Sequence, residues 1–369
     1  MYKLSMYQVV CILCTSYLPL LFWIYPRYAA YYGGVDGQWA LLGTCLAAMY
    51  SAWIHGLLNT RFKNYSGVEM LTLTFGKVLG IPTALMFIPG YVLFVATSLY
   101  SYSITVKSIL PNTPSLAASG ALLLVALVGA AYGLETIARV ASIVFPVVMF
   151  VLGTSFLLVF FRGTWAGVFF HPVSLSRSIS VAGMLLPIFF GFNNFLMLCP
   201  FYDHRKRNSV WIPFVSVGLG SFFVLSVYLV TIRVVGYEGL RVLSHPVDFV
   251  LQLVQLQGLI IQRFGVGLIF MSTMFEAVFC ANHIWALGEL SMRVFGAQRK
   301  KHKWFVLFYA VVILTVFRLI PDQEVGDWIV INILVPLSWL YLLVEPTIKL
   351  LVSYLRRLDY ASTQNESPA

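Results

Sequence analysis

Charge is what this sequence has least of. Asp, Glu, Lys and Arg make up 10% of its 369 residues, where a soluble domain carries about 25%. The hydrophobic share is 60%, against about 45–50% in globular domains. A soluble fold of this size could not hide so much apolar surface. Polar tracts and a Gly-X-Y period are also lacking, which excludes disordered and collagen-like chains. The five cysteines (Cys11, Cys14, Cys45, Cys199, Cys280) all lie inside apolar runs. That is where cysteine acts as a small hydrophobe, so no disulfide framework is expected. HExxH, GxSxG, Walker A and metal-spaced Cys/His clusters are missing. The expectation is therefore no enzyme, no metal and no cofactor.

Long apolar segments are abundant instead. A helix needs about 20 apolar residues to cross a bilayer. Ten segments qualify: 6–26, 37–58, 80–106, 116–133, 136–161, 178–202, 209–232, 264–291, 304–321 and 328–355. Two shorter stretches, 62–79 and 246–260, are apolar at helical spacing with polar punctuation and read as helices lying at a membrane surface. The first segment lacks a small-residue cleavage end and reads as a retained helix. Lysine and arginine placement orients the set. With both termini in the cytoplasm, 16 of the 24 Lys and Arg fall on the inner side. They include Arg205-Lys206-Arg207 and Arg299-Lys300-Lys301. The net charge of +10 thus reflects topology and contact with anionic lipids, and no nucleic-acid partner is expected.

Ten spans divide into five and five: residues 1–162 and 177–357, followed by a polar tail, 358–369. Five is odd, so the second half enters from the opposite side, giving an inverted repeat. In transporters of that design the first helix of each half is broken at the binding site. The first span carries Thr15-Ser16-Tyr17-Leu18-Pro19 near its middle. The sixth carries Pro187-Ile188-Phe189-Phe190-Gly191-Phe192-Asn193-Asn194. Proline has no N–H, so Pro19 and Pro187 each leave an upstream carbonyl without its helical partner. At membrane depth such groups are tolerated only where protein, water or ligand satisfies them.

Glu276 is the deepest charge, 13 residues after Arg263 and 17 before Arg293. An ionisable residue so placed faces a cavity or carries a proton; the alternative is an interhelical hydrogen-bond anchor. Cys280 and His283 share its face at i+4 and i+7, with Asn282 adjacent. Gly191, Asn193 and Asn194 are the ligand-binding candidates on the sixth span, and Thr15, Ser16 and Tyr17 on the first. Tyr91 on the third span is placed to close such a pocket. His55 reads as a snorkelling polar residue, and Glu345 as interfacial. Gly129 and Gly133 form a GxxxG close-packing face.

Several stretches resemble the B subunits of spore germinant receptors, the endospore germination permeases. These are Leu110-Pro111-Asn112-Thr113-Pro114, then Gly133-Leu134-Glu135-Thr136-Ile137-Ala138-Arg139, then Val144-Phe145-Pro146. Weaker echoes are Pro26-Arg27, Cys199-Pro200-Phe201 and Pro246-Val247. Glu135 and Arg139 are spaced to pair along a helix. The resemblance implies an all-α integral membrane protein of ten helices in a 5+5 inverted repeat, like the LeuT and amino-acid permease fold. It also implies residence in the bacterial spore inner membrane, and nutrient sensing, with an amino acid the expected ligand, in a complex with a membrane-bound A subunit and a lipoprotein C subunit. A proton-coupled transporter and a membrane scaffold with a vestigial pocket are the other readings. Where the family often carries Gly-x-Gly in the first helix, this chain has Pro19-Leu20-Leu21.

Overall fold

The computed structural model describes residues 3–19, 25–161, 174–202, 210–253 and 264–358. Among them the protein is helical throughout, and its one extended pairing is an isolated bridge between Leu4 and Tyr202. Seven stretches among the described residues are long and apolar enough to cross a membrane. The expected first span fails that test because its helix stops early. Helix α1 (Met6–Tyr17) has 12 residues and gives way to a tight turn at Leu18 and Pro19. The rest of segment 6–26 lies largely outside the described residues, and helix resumes as α2 (Tyr25–Gly33). The ninth expected span, α12 (His302–Arg318), has 17 residues.

Between them run α3 (Gly37–Arg61), α4 (Gly67–Ile109), α5 (Ser115–Tyr132) and α6 (Leu134–Phe160). Two serines start α1 and α4 with capping boxes, Ser5 with Gln8 and Ser66 with Glu69. These satisfy backbone donors that the first turn leaves free. Gly133 joins α5 to α6 at φ 101, ψ 179, a conformation open essentially to glycine alone. This, rather than close packing, is what Gly133 supplies, since a side chain there would meet open space; Gly129 does pack closely, 3.5 Å from the Ala281 Cβ for an added methyl. Arg139 and Glu135 pair at 2.5 Å as their spacing predicts.

The second half opens with α7 (Leu175–Met184), a 3₁₀ segment over Leu186–Asn193 and α8 (Asn194–Leu198). Next come α9 (Trp211–Val242), α10 (Pro246–Gln252) and α11 (Phe264–Val294). After α12 the last span is a train of α13 (Gln323–Ile329), a π turn, α14 (Val335–Ser338), a second π turn and α15 (Glu345–Leu355). The π turns flank Pro336, whose missing N–H a regular helix cannot absorb without a bend.

Both halves turn a corner at glycine. Helix α4 is broken at Gly76 (φ 77, ψ 169) and α9 at Gly236 (φ 73, ψ 173). The short helix ahead of Gly76 matches the expected surface stretch 62–79. Helix α10 matches the start of 246–260, the remainder of which lies outside the described residues, as do the basic run 205–207 and the tail from 359. One end of the bundle collects Arg61 on Ser353, Arg293 on Glu69, and Arg356 on Thr74. Following the charge reading, it is termed the inner end. The outer end has Arg27 on Asp327 and Thr105 on Asp248.

Gly76→Ala places a methyl in a backbone region that costs about 1–3 kcal/mol outside glycine, with nothing within 4 Å to gain from it. The expected outcome is a lower unfolding midpoint in detergent, with no loss of helix content by circular dichroism.

Candidate functional site

The two interrupted spans meet midway along the bundle. A side chain at Gly191 would overlap the carbonyl oxygen of Ser16, and would stand 3.1 Å from His283 Nε2. Only glycine allows this approach of one backbone to another. Of the first-span candidates, Thr15 and Ser16 turn their hydroxyls back onto the Ile12 carbonyl, at 2.8 and 2.7 Å. The Asn282 amide donates to the Ser16 hydroxyl, tying α1 to α11. Tyr17 points elsewhere. Its hydroxyl donates to the Ser216 carbonyl of α9 at 2.6 Å, and its ring lies 5.3 Å from Phe189. It holds the interrupted helix in place and does not join the cluster around Glu276.

The α11 stripe faces inward as its spacing predicts. Glu276, Asn282 and His283 are wholly buried. Ser98 of α4 donates to Glu276 Oε1 at 2.7 Å, and the Cys280 thiol lies 3.8 Å from the same oxygen. Sequence reasoning passed over Ser98. It sits with Tyr102 and Thr105 at i, i+4 and i+7 on α4, a spacing that marks one helix face. His283 Nδ1 is 2.8 Å from the Phe279 carbonyl, which can only accept, so Nδ1 carries the proton and Nε2 presents a lone pair. Around that ring stand Tyr91 and Phe94, with centroids 5.1 and 5.4 Å away.

The distinctive property is unspent hydrogen-bonding capacity. Glu276 Oε2, His283 Nε2, Asn282 Oδ1, the Tyr91 hydroxyl and both ends of the Asn194 amide are buried without a hydrogen-bond partner among the described residues. Buried polar groups are normally paired, so these groups retain capacity for a ligand or for water. Asn193 spends its amide on the Phe190 carbonyl at 3.0 Å. A small cavity lies outward of the break, lined by Tyr25, Tyr28, Phe94, Thr97 and Ile188. It is roofed where the Tyr28 hydroxyl, 2.7 Å from Asp327 Oδ1, and Arg27 join α2 to α13.

Two readings need correction. His55 does not snorkel, and Glu345 is not interfacial. His55 and Lys349 are wholly buried, Glu345 nearly so, and Lys349 pairs with Glu345 at 2.5 Å. In each case the helix face turned inward is the polar one.

A fold with paired interrupted helices and a polar centre is that of the LeuT-type membrane transporters. Among solved structures the chain resembles MhsT, determined in complex with L-phenylalanine. The TM-score is 0.60 at 12% identity, over 95% of this chain and 96% of that one. No curated protein sequence matches. Residues 3–325 match the family described as spore germination protein, the spore permeases, and the chain belongs to that family. It is a multi-pass membrane protein.

Gly191→Ala is expected to abolish the folded protein or to lower its unfolding midpoint more than any change at the periphery, because backbone cannot yield to the added methyl. At the outer end, burial raises the Asp248 carboxyl from 3.8 to about 7. Between those values the folded state holds a proton that the unfolded state releases, so docking of α10 weakens as pH rises from about 4 to 7 and is constant above. Lower protection factors for the α10 amides at pH 8 than at pH 5, with the difference removed by Asp248→Asn, are the expected result.

Proposed function

We propose that this chain is the nutrient-sensing B subunit of a spore germinant receptor. It sits in the spore inner membrane as ten spans in a 5+5 inverted repeat, with both termini inside. A small nutrient, an amino acid, binds where the interrupted spans meet and biases the conformations of the subunit. A ligand can do this only through a difference in affinity between states. The bias passes to the A subunit and the lipoprotein C subunit. The protein binds and does not catalyse.

One observation carries this reading: the buried, unspent acceptors Glu276 Oε2, His283 Nε2 and Asn282 Oδ1 along α11, the latter two beside the Gly191–Ser16 contact. An ammonium group supplies the donors they lack, and the main-chain groups freed at Tyr17–Pro19 and in the 3₁₀ segment serve the rest of the molecule. A second reading, a proton-coupled transporter of the same fold, is favoured by Glu276 itself, a fully buried carboxyl with one oxygen free.

Purified protein in vesicles, given a panel of labelled amino acids and an imposed pH gradient, separates the two. The receptor reading expects saturable binding without accumulation. Glu276→Gln should weaken that binding about tenfold or more, since hydrogen bonds to charged groups contribute about 1.5–3 kcal/mol. Gradient-driven accumulation, lost in the same variant, would instead make it a transporter. Binding indifferent to Glu276 would sink both.

A further inference from the structure

The inner half of the bundle holds a second set of buried polar groups that ligand binding does not use. On α3, Ser51, His55 and Asn59 follow one another at i, i+4 and i+8. On α15, Glu345, Lys349 and Ser353 do the same. All six are buried, and the two helices are in contact. The seam opens at Arg61, which donates to the Ser353 carbonyl at 2.8 Å and is partly exposed. At its upper end Asn193 lines a cavity of about 30 Å³ together with Glu345 and Lys349. That space admits about two water molecules and is too small for an organic ligand.

Stability does not explain this seam. Burying an ammonium and a carboxylate costs several kcal/mol per ion, and apolar packing of equal volume often does as well or better. Nor is it interhelical glue, which would be paired. Among the described residues both ends of the Asn59 amide have no hydrogen-bond partner, and His55 Nε2 has none beyond the neighbouring Asn193 side chain. His55 Nδ1 lies 2.8 Å from the Ser51 carbonyl, so Nδ1 is the donor and Nε2 an open lone pair.

The seam continues outward. From Asn193 the line passes Gly191 to His283, then Cys280 and Glu276 on one face of α11. Glu276 is bonded to Ser98, Tyr102 to Thr273 at 2.7 Å, and Thr105 to Asp248 at 2.6 Å. Titratable and hydrogen-bonding side chains are thus spaced from Asp248 at the outer end to His55 and Asn59 near the inner end, with Gly191, which carries no side chain, between the two sets.

We propose that this line is a transmembrane proton path, an activity distinct from nutrient binding. A proton enters at Asp248 and moves along the hydroxyls and carboxyls of α4 and α11. It crosses to the seam through water in the small cavity and leaves past Asn59. At each histidine it arrives at Nε2 and departs from Nε2, since the Nδ1–H is held by a carbonyl. Every group regains its starting state once the proton has passed. Lys349 of α15, paired with Glu345, is the charged group that acts on His55, with Asn193 beside its ring.

The test is proton flux into vesicles carrying a trapped pH dye, with a potassium diffusion potential as driving force, with and without the amino-acid panel. The wild-type protein is expected to pass protons at least tenfold faster than protein-free vesicles in at least one of these conditions. His55→Phe and the double variant Glu345→Gln/Lys349→Met should each remove most of that excess. If His55→Phe does not fold, His55→Asn keeps a donor near the Ser51 carbonyl and removes Nε2. Wild-type flux equal to that of protein-free vesicles in every condition overturns the proposal. So does undiminished flux in variants whose unfolding midpoints match wild type. Failure of the receptor reading is separable: proton flux without saturable amino-acid binding defeats that reading and leaves this one, and proton-tight vesicles that bind an amino acid do the reverse.

Discussion

Everything in this fold follows from the backbone contact between Gly191 and Ser16. A chain in hydrocarbon must satisfy every peptide group internally, which favours unbroken helices. Two spans forgo that here, α1 at Tyr17 and the sixth at Leu185, and the breaks are tolerable because they face each other inside the protein. The other spans act as a sleeve around them: α4 and α11 supply the polar side chains, while α9 anchors the end of α1 through Tyr17 and Ser216. The last span completes the sleeve. A side chain at Gly183 would come within 2.7 Å of Trp339, and one at Gly90 within 2.8 Å of Leu337.

Much of this was legible in the sequence, for reasons that differ by element. Most of the spans announce themselves because apolar length is a one-dimensional property, with seven of the ten expected segments qualifying among the described residues. The break in the sixth span is equally plain, since Pro187 and Gly191 fall within five residues. The α11 stripe was readable because i, i+4, i+7 spacing survives folding unchanged. The faces of α3 and α15 were not. Nothing in Ser51, His55 and Asn59 states whether that side meets lipid headgroups or another helix, and a histidine near a helix end suits either. The same holds for Glu345, whose neighbour Lys349 reads as a basic residue near the membrane surface until the packing shows it enclosed. Tyr17 shows a further limit: adjacency to Ser16 in the chain says nothing about direction around the helix, and 100° of rotation carries it to another partner.

Paired and unpaired polar groups both run the length of the bundle. In the outer half the hydroxyls of Ser98, Tyr102 and Thr105 each have a defined partner, which rigidifies the contact between α4, α10 and α11. Elsewhere amides and imidazole nitrogens are left with capacity to spare, His55, Asn59 and Asn194 in the inner half and His245 and Gln323 in the outer. A region whose polar groups are satisfied by water rearranges more easily than one whose groups are satisfied by each other.

The bridge between Leu4 and Tyr202 acquires a mechanical meaning in that setting. The Leu4 amide donates to the Phe201 carbonyl at 2.8 Å, so the first described residues are stitched by main chain to the inner tip of the interrupted sixth span. Tyr202 lies eight residues beyond Asn194 and eleven beyond Gly191. The amino terminus therefore works as a drawstring. A pull on it reaches the end of the 3₁₀ segment through peptide bonds and one hydrogen bond, and a swing of that segment draws the terminus along with it.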